Sequence, residues 1–129
     1  MYHLTALVTL LAVLLYFVID AIVGRARIKF DIKAPATTGH PYFERALRVQ
    51  MNTLEWMPIF LPSLWLFAIY ISDMIAAGIG LIWVIGRILY LIGYIKAAEK
   101  RTSGFIIQML ACNVLWVGAT GAVVWRLVH

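Results

Sequence analysis

Four apolar stretches limit what this chain can fold into more than any other feature of it. They cover residues 3–23, 56–72, 74–95 and 102–125, and the second extends back to about residue 42 through a more polar segment. Each approaches the ~20 residues that an α-helix needs to cross a hydrocarbon core. Unpaired backbone groups are intolerable in lipid, and the chain lacks the alternating strands of a membrane barrel. The sequence therefore predicts four transmembrane helices, at roughly 3–23, 42–72, 74–96 and 102–127.

The composition indicates that these helices form one membrane domain. Of the 129 residues, 64% are hydrophobic and 13% are charged, whereas a soluble domain has about 45–50% apolar residues. A water-soluble fold of this length buries a limited fraction of its surface, so it could not hide so many apolar side chains. We therefore expect residues 1–129 to be a single transmembrane domain, an all-α integral membrane four-helix bundle.

The basic residues predict the orientation of the bundle. They cluster in the first and third connections, as Arg25, Arg27, Lys29 and Lys33, then Lys96, Lys100 and Arg101. The second connection has one charged residue, Asp73, and no lysine or arginine. The positive-inside rule therefore places the first and third connections in the cytoplasm and both termini on the opposite side of the membrane. The membrane would be a bacterial inner membrane or one of the endoplasmic reticulum type. The net charge of +5 is thus mostly a topology signal, and we expect no nucleic-acid partner.

Cysteine and histidine indicate no metal or redox chemistry. Cys112 is the single cysteine of the chain, which excludes an internal disulfide, a Cys-x-x-Cys pair and a thiolate metal site. The three histidines, His3, His40 and His129, lie far apart and near ends or loops. The sequence therefore predicts no bound metal.

Two polar stripes lie on the second and third helices, near their cytoplasmic ends. Members of the first stripe are three, four and three residues apart: Arg45, Arg48, Asn52 and Glu55. At 100° per residue they fall within about 80° of arc. The second stripe spans about 60° and consists of Arg87, Tyr90, Tyr94 and, if the third helix continues that far, Arg101. Because the two helices form one tight hairpin, we expect the stripes to face each other.

Charged side chains within a membrane helix need an explanation, since one at the centre costs about 2.5–3.5 kcal/mol. Pairing of Arg48 with Glu55 would reduce that cost without removing it. The side chains could simply join helices or extend toward the headgroups. Alternatively, the two stripes could form a pocket for a small zwitterionic ligand, in which arginines bind carboxylates and a glutamate accepts an ammonium group. For Arg45, near the start of its helix, anchoring and ligand binding both remain open.

The order and spacing of these motifs resemble the MAPEG family, the membrane-associated proteins in eicosanoid and glutathione metabolism. Three segments carry the resemblance: GRARIKF at 24–30, ATTGHPYFERALRVQMNTLEWMPIF at 36–60 and GRILYLIGYIKAAEKRTSGF at 86–105. They are most similar to the branch that contains the type-two microsomal glutathione transferases and leukotriene C synthase. The pattern R-x-Q-x-N-x-x-E, followed by an aromatic residue and, downstream, by R-x-x-Y-x-x-x-Y-x-x-x-x-x-x-R, is highly specific.

The resemblance implies a homotrimer of four-helix protomers embedded in membrane lipid, with glutathione bound between neighbouring subunits near the cytoplasmic face. Within one subunit, the residues that match the family's glutathione contacts are Arg48, Asn52, Glu55, Tyr90 and Tyr94. Gln50 and Arg27 match contacts attributed to the adjacent subunit. Arg87 matches a further basic position of the motif, so the resemblance implies that it also binds glutathione. Arg101 matches the arginine that is thought to activate the glutathione thiol, which makes it the predicted catalytic residue.

The implied activity is that of a glutathione transferase. A thiol with a pKa near ~8.5 is mostly protonated at neutral pH, although the thiolate is the nucleophile. The guanidinium of Arg101 would stabilise the thiolate, which would attack a hydrophobic electrophile or reduce a lipid hydroperoxide. Trp56 departs from the family pattern, because tyrosine or phenylalanine is usual at this position. The role of Thr102 is open, since its hydroxyl could assist the thiol or cap a helix.

Two other functions remain as alternatives. The same family contains lipid-binding scaffolds without catalytic activity, but these lack the glutathione motif. A small four-helix drug exporter would have a similar length and hydropathy, and would need an essential carboxylate in its first helix. Asp20 is a poor candidate for that carboxylate because it lies near the cytoplasmic end of the helix, close to Arg25 and Arg27.

Overall fold

The computed structural model describes all residues, 1–129, and contains four long helices and no strand. The helices are α1 (His3–Lys29), α2 (Pro41–Tyr70), α3 (Asp73–Lys96) and α4 (Thr102–Val128), and a short 3₁₀ turn (Ala98–Arg101) precedes α4. All four are long and apolar enough to cross a membrane. The prediction of an all-α four-helix bundle is confirmed.

The helix bounds differ from the predicted ones mainly at the first connection. Helix α1 continues beyond residue 23 to Lys29, because the arginine and lysine residues there are good helix formers and need not lie in lipid. Helix α2 begins at Pro41, where a missing backbone N–H costs nothing. His40 caps it, since Nδ1 of its ring accepts from the Tyr42 backbone N–H at 3.1 Å. The first connection is therefore reduced to residues 30–40.

The third helix does not continue to Arg101. It ends at Lys96, and Ala97 adopts an extended conformation with φ −165° and ψ 139°. The condition under which Arg101 would share a helical stripe with Tyr94 is therefore not met, and the helix ends at the predicted residue. Arg101 is instead the last residue of the 3₁₀ turn.

Close contacts of small residues hold α3 against α4. A Cβ atom added to Gly104 would lie 2.2 Å from the backbone nitrogen of Tyr90, and one added to Gly86 would lie 2.7 Å from that of Gln108. Small residues let membrane helices approach in this way. A core of 20 buried residues joins all four helices, and at its centre the rings of Phe60 and Trp83 stack at 3.9 Å.

The two ends of the bundle differ in charge. At one end, the Asp73 carboxylate accepts the backbone N–H groups of Leu4 at 3.3 Å and Thr5 at 2.9 Å, which fixes the start of α1 beside the start of α3. The opposite end carries both residues 30–40 and residues 97–101, together with most of the lysine and arginine residues. We call it the basic end. The candidate functional residues lie at or near it.

Candidate functional site

A cavity of about 480 Å³ opens at the basic end, between the start of α2 and the end of α3. Its charged lining residues are Glu44, Arg45, Arg48, Lys96 and Glu99, and Tyr94 adds an aromatic wall. Arg48 and Tyr94 come from the two predicted stripes, so the structure brings one member of each stripe to the same cavity. Three cations against two carboxylates give the cavity a net positive charge, which suits an anionic ligand.

Arg45 has a structural partner in this region. Its Nε donates to the backbone carbonyl of Ile95 at 3.1 Å, in the last turn of α3. The last carbonyl groups of a helix have no partner within it and carry partial negative charge, so a guanidinium there is stabilising. This contact favours helix anchoring as the role of Arg45. Arg48, one turn later, has an exposed side chain.

Arg101 reaches the aromatic wall of the cavity although it does not lie on α3. Its guanidinium carbon is 5.3 Å from the centre of the Tyr94 ring, and Nη1 donates to the carbonyl of Ala98 at 2.6 Å. The Tyr94 ring packs edge-on against Tyr90 at 5.4 Å. The 3₁₀ turn thus returns Arg101 to the end of the stripe, where its side chain stays exposed.

Arg87 occupies a different environment from the other predicted site residues. It has no exposed surface within the protomer, and its Nη1 donates to Oδ1 of Asn52 at 2.8 Å. Its Nη2 donates to Oγ1 of Thr53, and its guanidinium lies over the Tyr90 ring at 4.4 Å. Arg87 therefore connects α2 to α3 and fixes the amide of Asn52, while no part of it lines the open cavity.

Thr53 is the participant that sequence reasoning missed. It is fully buried, and its hydroxyl also donates to the Val49 carbonyl at 2.7 Å. Its position on α2 falls outside the arc of the polar stripe, and a threonine in an apolar helix has no obvious partner. The one signal in the sequence is that a buried arginine needs several acceptors, of which Asn52 supplies one.

Glu55 and Trp56 lie deeper in the membrane-spanning part of α2. The Glu55 side chain is exposed, while the Asn52 side chain one turn earlier is half-buried. Trp56 packs edge-on against Phe105 at 5.8 Å, so it connects α2 to α4. The stripe on α2 thus begins at the cavity and continues along an open face of the protomer.

Arg27, on α1, and Gln50, on α2, lie on the side of α2 that faces away from the cavity. Arg27 contacts the first connection, and Gln50 faces α1. Nη1 of Arg27 donates to the carbonyl of Ala36 at 2.9 Å, and its guanidinium lies 4.8 Å from the centre of the Phe43 ring. Nε2 of Gln50 donates to Oδ1 of Asp20 on α1. Within one protomer the structure does not bring these two residues together with Arg48 and Tyr94.

The structure contains no group of three or more histidine, cysteine, aspartate or glutamate side chains that could hold a metal ion. Cys112 is buried in the core between the helices. The polar groups that line the cavity at the basic end are guanidinium, ammonium, carboxylate and phenol groups.

Comparisons with known proteins place the chain in a family. The sequence model of the MAPEG family matches residues 5–121. An uncharacterized protein of Synechocystis sp. is 54% identical over 122 residues, 95% of this chain and 89% of its own. Human microsomal glutathione S-transferase 2 is 40% identical over 107 residues, 82% of this chain and 71% of its own. Rat leukotriene C4 synthase is 37% identical over 126 residues, 98% of this chain and 82% of its own. The resemblance carried by the motifs of α2 and α3 is confirmed, and the chain belongs to the MAPEG family.

Proposed function

We propose that this protein is a membrane-bound glutathione transferase that activates the glutathione thiol for attack on hydrophobic electrophiles. The family and the names of the human and rat relatives support a membrane enzyme that uses glutathione. The observation that carries the proposal is the cavity at the basic end, where Arg48 and Tyr94 share a lining and Arg101 lies over Tyr94. Glutathione has two carboxylates, one ammonium group and a thiol, and a cation-rich cavity beside a free guanidinium suits that set.

Each predicted contact has a role in this proposal. Arg48 binds a carboxylate of glutathione, Glu55 accepts its ammonium group, and Tyr90 and Tyr94 form the wall behind it. Asn52 contacts the peptide with an amide that Arg87 holds in place through the bond at 2.8 Å. Arg87, which the family likeness implies as a glutathione contact, acts here by positioning Asn52, because it is fully buried.

Arg101 stabilises the thiolate, since its guanidinium carries a permanent positive charge and is exposed at the mouth of the cavity. The thiol proton passes to water, and the sulfur lone pair forms a carbon–sulfur bond as the leaving group departs with its electron pair. Lowering the thiol pKa by two units requires about 2.7 kcal/mol of differential stabilisation. At pH 7 a shift from ~8.5 to ~6.5 raises the thiolate fraction about 25-fold.

The complete site includes an adjacent copy of the chain in this proposal. Arg27 and Gln50 face away from the cavity of their own protomer, and Arg48 and Glu55 have exposed side chains on a membrane helix. Exposed charges at this depth are unfavourable unless something polar covers them. A homotrimer with a glutathione between each pair of neighbours would cover them, with Arg27 and Gln50 of the next copy completing each site.

The four long apolar helices and the family make this a multi-pass integral membrane protein. We further propose that the basic end faces the cytoplasm, following the positive-inside rule. Glutathione would then enter from water while an apolar electrophile or a lipid hydroperoxide enters from the bilayer. The lipid-binding scaffold is the second candidate, and the complete set of motif residues on α2 and α3 argues against it.

Conjugation of glutathione to 1-chloro-2,4-dinitrobenzene by the purified protein tests the proposal. The variants are Arg101→Ala and, as a matched control that removes a neighbouring exposed charge, Lys100→Ala. We expect Arg101→Ala to raise the pKa of the bound glutathione thiol, followed by ultraviolet thiolate absorbance, and to reduce turnover at neutral pH, while Lys100→Ala behaves as wild type. The loss in turnover should be smaller than the ~25-fold loss of thiolate, because a more basic thiolate is more nucleophilic.

Three outcomes would contradict parts of the proposal. A wild-type protein that does not bind glutathione would contradict the function itself. Binding without turnover of either the dinitrobenzene or a lipid hydroperoxide would favour the scaffold. An unchanged thiol pKa in Arg101→Ala would mean that another arginine stabilises the thiolate, and Arg27 is the first to test.

A further inference from the structure

Asp20 is a polar residue that the proposed chemistry leaves without a role. It is the single acidic residue of α1, and its side chain is half-buried within the membrane-spanning part of the helix. A carboxylate at such a depth costs free energy unless a partner compensates for it. Its Oδ1 accepts a hydrogen bond from Nε2 of Gln50 on α2. Gln50 is also one of the residues expected to contact glutathione.

The hydrogen bond determines which end of the Gln50 amide is available to a ligand. An ionised carboxylate can only accept hydrogen bonds, whereas an amide has a donor end and an acceptor end of nearly equal size. One of the two N–H groups of Nε2 donates to Asp20, which turns the acceptor Oε1 away from the carboxylate, while the second N–H stays beside that negative charge. The negative charge of Asp20 also disfavours any second carboxylate near Nε2 and favours N–H donors.

We propose that Asp20 is a positioning residue that presents Oε1 of Gln50 as a hydrogen-bond acceptor. Gln50 then accepts a hydrogen bond from an N–H donor of glutathione, either the ammonium group or a peptide N–H. It binds neither carboxylate of glutathione. This inference rests on the proposed function, because it concerns the same glutathione site. It adds a residue from α1 and assigns a direction to the contact.

Exchanging the two polar groups tests the inference. In Asp20→Asn/Gln50→Glu the new amide donates to the new carboxylate, so the hydrogen bond persists, the net charge is unchanged and position 50 still presents an acceptor oxygen. We expect the glutathione KM of this double variant to lie below that of Asp20→Asn alone, because position 50 is again held as an acceptor. Asp20→Asn alone frees the amide orientation and should raise that KM about 3- to 10-fold, the usual effect of one hydrogen bond, with little change in kcat.

Asp31→Asn is the matched control, because it removes a carboxylate from the first connection, where Asp31 is exposed and makes no side-chain hydrogen bond. Thermal unfolding and gel filtration in detergent identify variants that do not fold. If the double variant does not fold, the glutathione KM of Asp20→Asn against Asp31→Asn decides the question alone.

Two results would overturn the inference and leave the proposed function intact. One is a wild-type KM for Asp20→Asn. The other is a folded double variant whose KM rises tenfold or more, since this means that Gln50 donates to a carboxylate of glutathione. A wild-type protein without glutathione-dependent conjugation or binding would overturn both. An analogue of glutathione that lacks the ammonium group identifies the donor. If the ammonium group binds Oε1, Gln50→Ala should raise the KM for glutathione but not the KM for this analogue.

Discussion

Replacing Thr53 with valine removes one hydroxyl and leaves the shape of the side chain almost unchanged. That hydroxyl accepts from Nη2 of Arg87, and both residues are fully buried. In the variant, Arg87 retains its bond to Asn52 at 2.8 Å. Its Nε already lacks a hydrogen-bond partner, so Nη2 would become a second unpaired nitrogen on a buried cation.

The expected loss in the free energy of unfolding is about 2 kcal/mol, because a hydrogen bond to a charged group contributes about 1.5–3 kcal/mol. Polar contacts between membrane helices average only ~0.6 kcal/mol, so the measured value distinguishes a charge-assisted bond from an ordinary one. Complete isolation of a buried charge would cost more, roughly 3–5 kcal/mol. The remaining Asn52 contact keeps the estimate below that range.

Equilibrium unfolding by sodium dodecyl sulfate in mixed micelles, followed by tryptophan fluorescence, measures this loss. Ser63→Ala is a matched control, since Ser63 is buried on the same helix and its hydroxyl bonds only to the Ile59 carbonyl at 2.7 Å. It should change the free energy of unfolding by less than about 0.5 kcal/mol. Thr53→Ser should retain most of the wild-type stability. Equal losses for Thr53→Val and Ser63→Ala would show that Thr53 does not stabilise the guanidinium.

Three further substitutions test contacts within the bundle in the same unfolding assay. Gly104→Ala should lower stability by about 1–3 kcal/mol, because its Cβ would lie 2.2 Å from the Tyr90 nitrogen. Gly121→Ala, with no atom within 4 Å of its Cβ, should instead be neutral or stabilising by up to ~1 kcal/mol. Asp73→Ala removes the acceptor of the Thr5 N–H at 2.9 Å and should lower the free energy of unfolding, as the loss of a helix cap does. An unchanged stability in Gly104→Ala or Asp73→Ala would contradict the corresponding contact.

Helical periodicity predicted the polar stripes because it depends only on the backbone repeat, and in the structure one member of each stripe, Arg48 and Tyr94, lines the same cavity. It could not predict the direction of a long side chain. Arg87 and Tyr90 share a face of α3, yet the guanidinium extends to Asn52 and Thr53 inside the bundle. Such a choice depends on which acceptors the neighbouring helix provides, and this is a property of packing.

The position of Arg101 depends on the turn after α3. The apolar pattern predicted the end of α3 at about residue 96, but the local sequence does not predict the geometry of the turn. The residues around Ala97 are good helix formers, with no proline to end the helix. The structure nevertheless turns there, and the backbone of Lys100 crosses so close to Gly93 that an added Cβ would lie 2.3 Å from its carbonyl oxygen. Gly93 permits this crossing, and tertiary contact between α3 and the 3₁₀ turn overrides the helical preference of the segment. The family resemblance implied a role for Arg101 at the proposed site without needing the helix to continue.

The two sets of predicted contacts lie on different faces of the protomer, and this limits the symmetry of the proposed assembly. Arg48 and Tyr94 line a cavity between α2 and α3, whereas Gln50 faces α1 and Arg27 contacts the first connection. If one copy supplies the first pair and its neighbour the second, unlike surfaces meet at every interface. In a two-fold dimer both pairs would have to lie within one self-complementary patch, whereas a heterologous interface joins two separate faces and gives a ring where its rotation closes. The proposed homotrimer is the ring of fewest subunits that meets this condition, with one complete site at each of its interfaces.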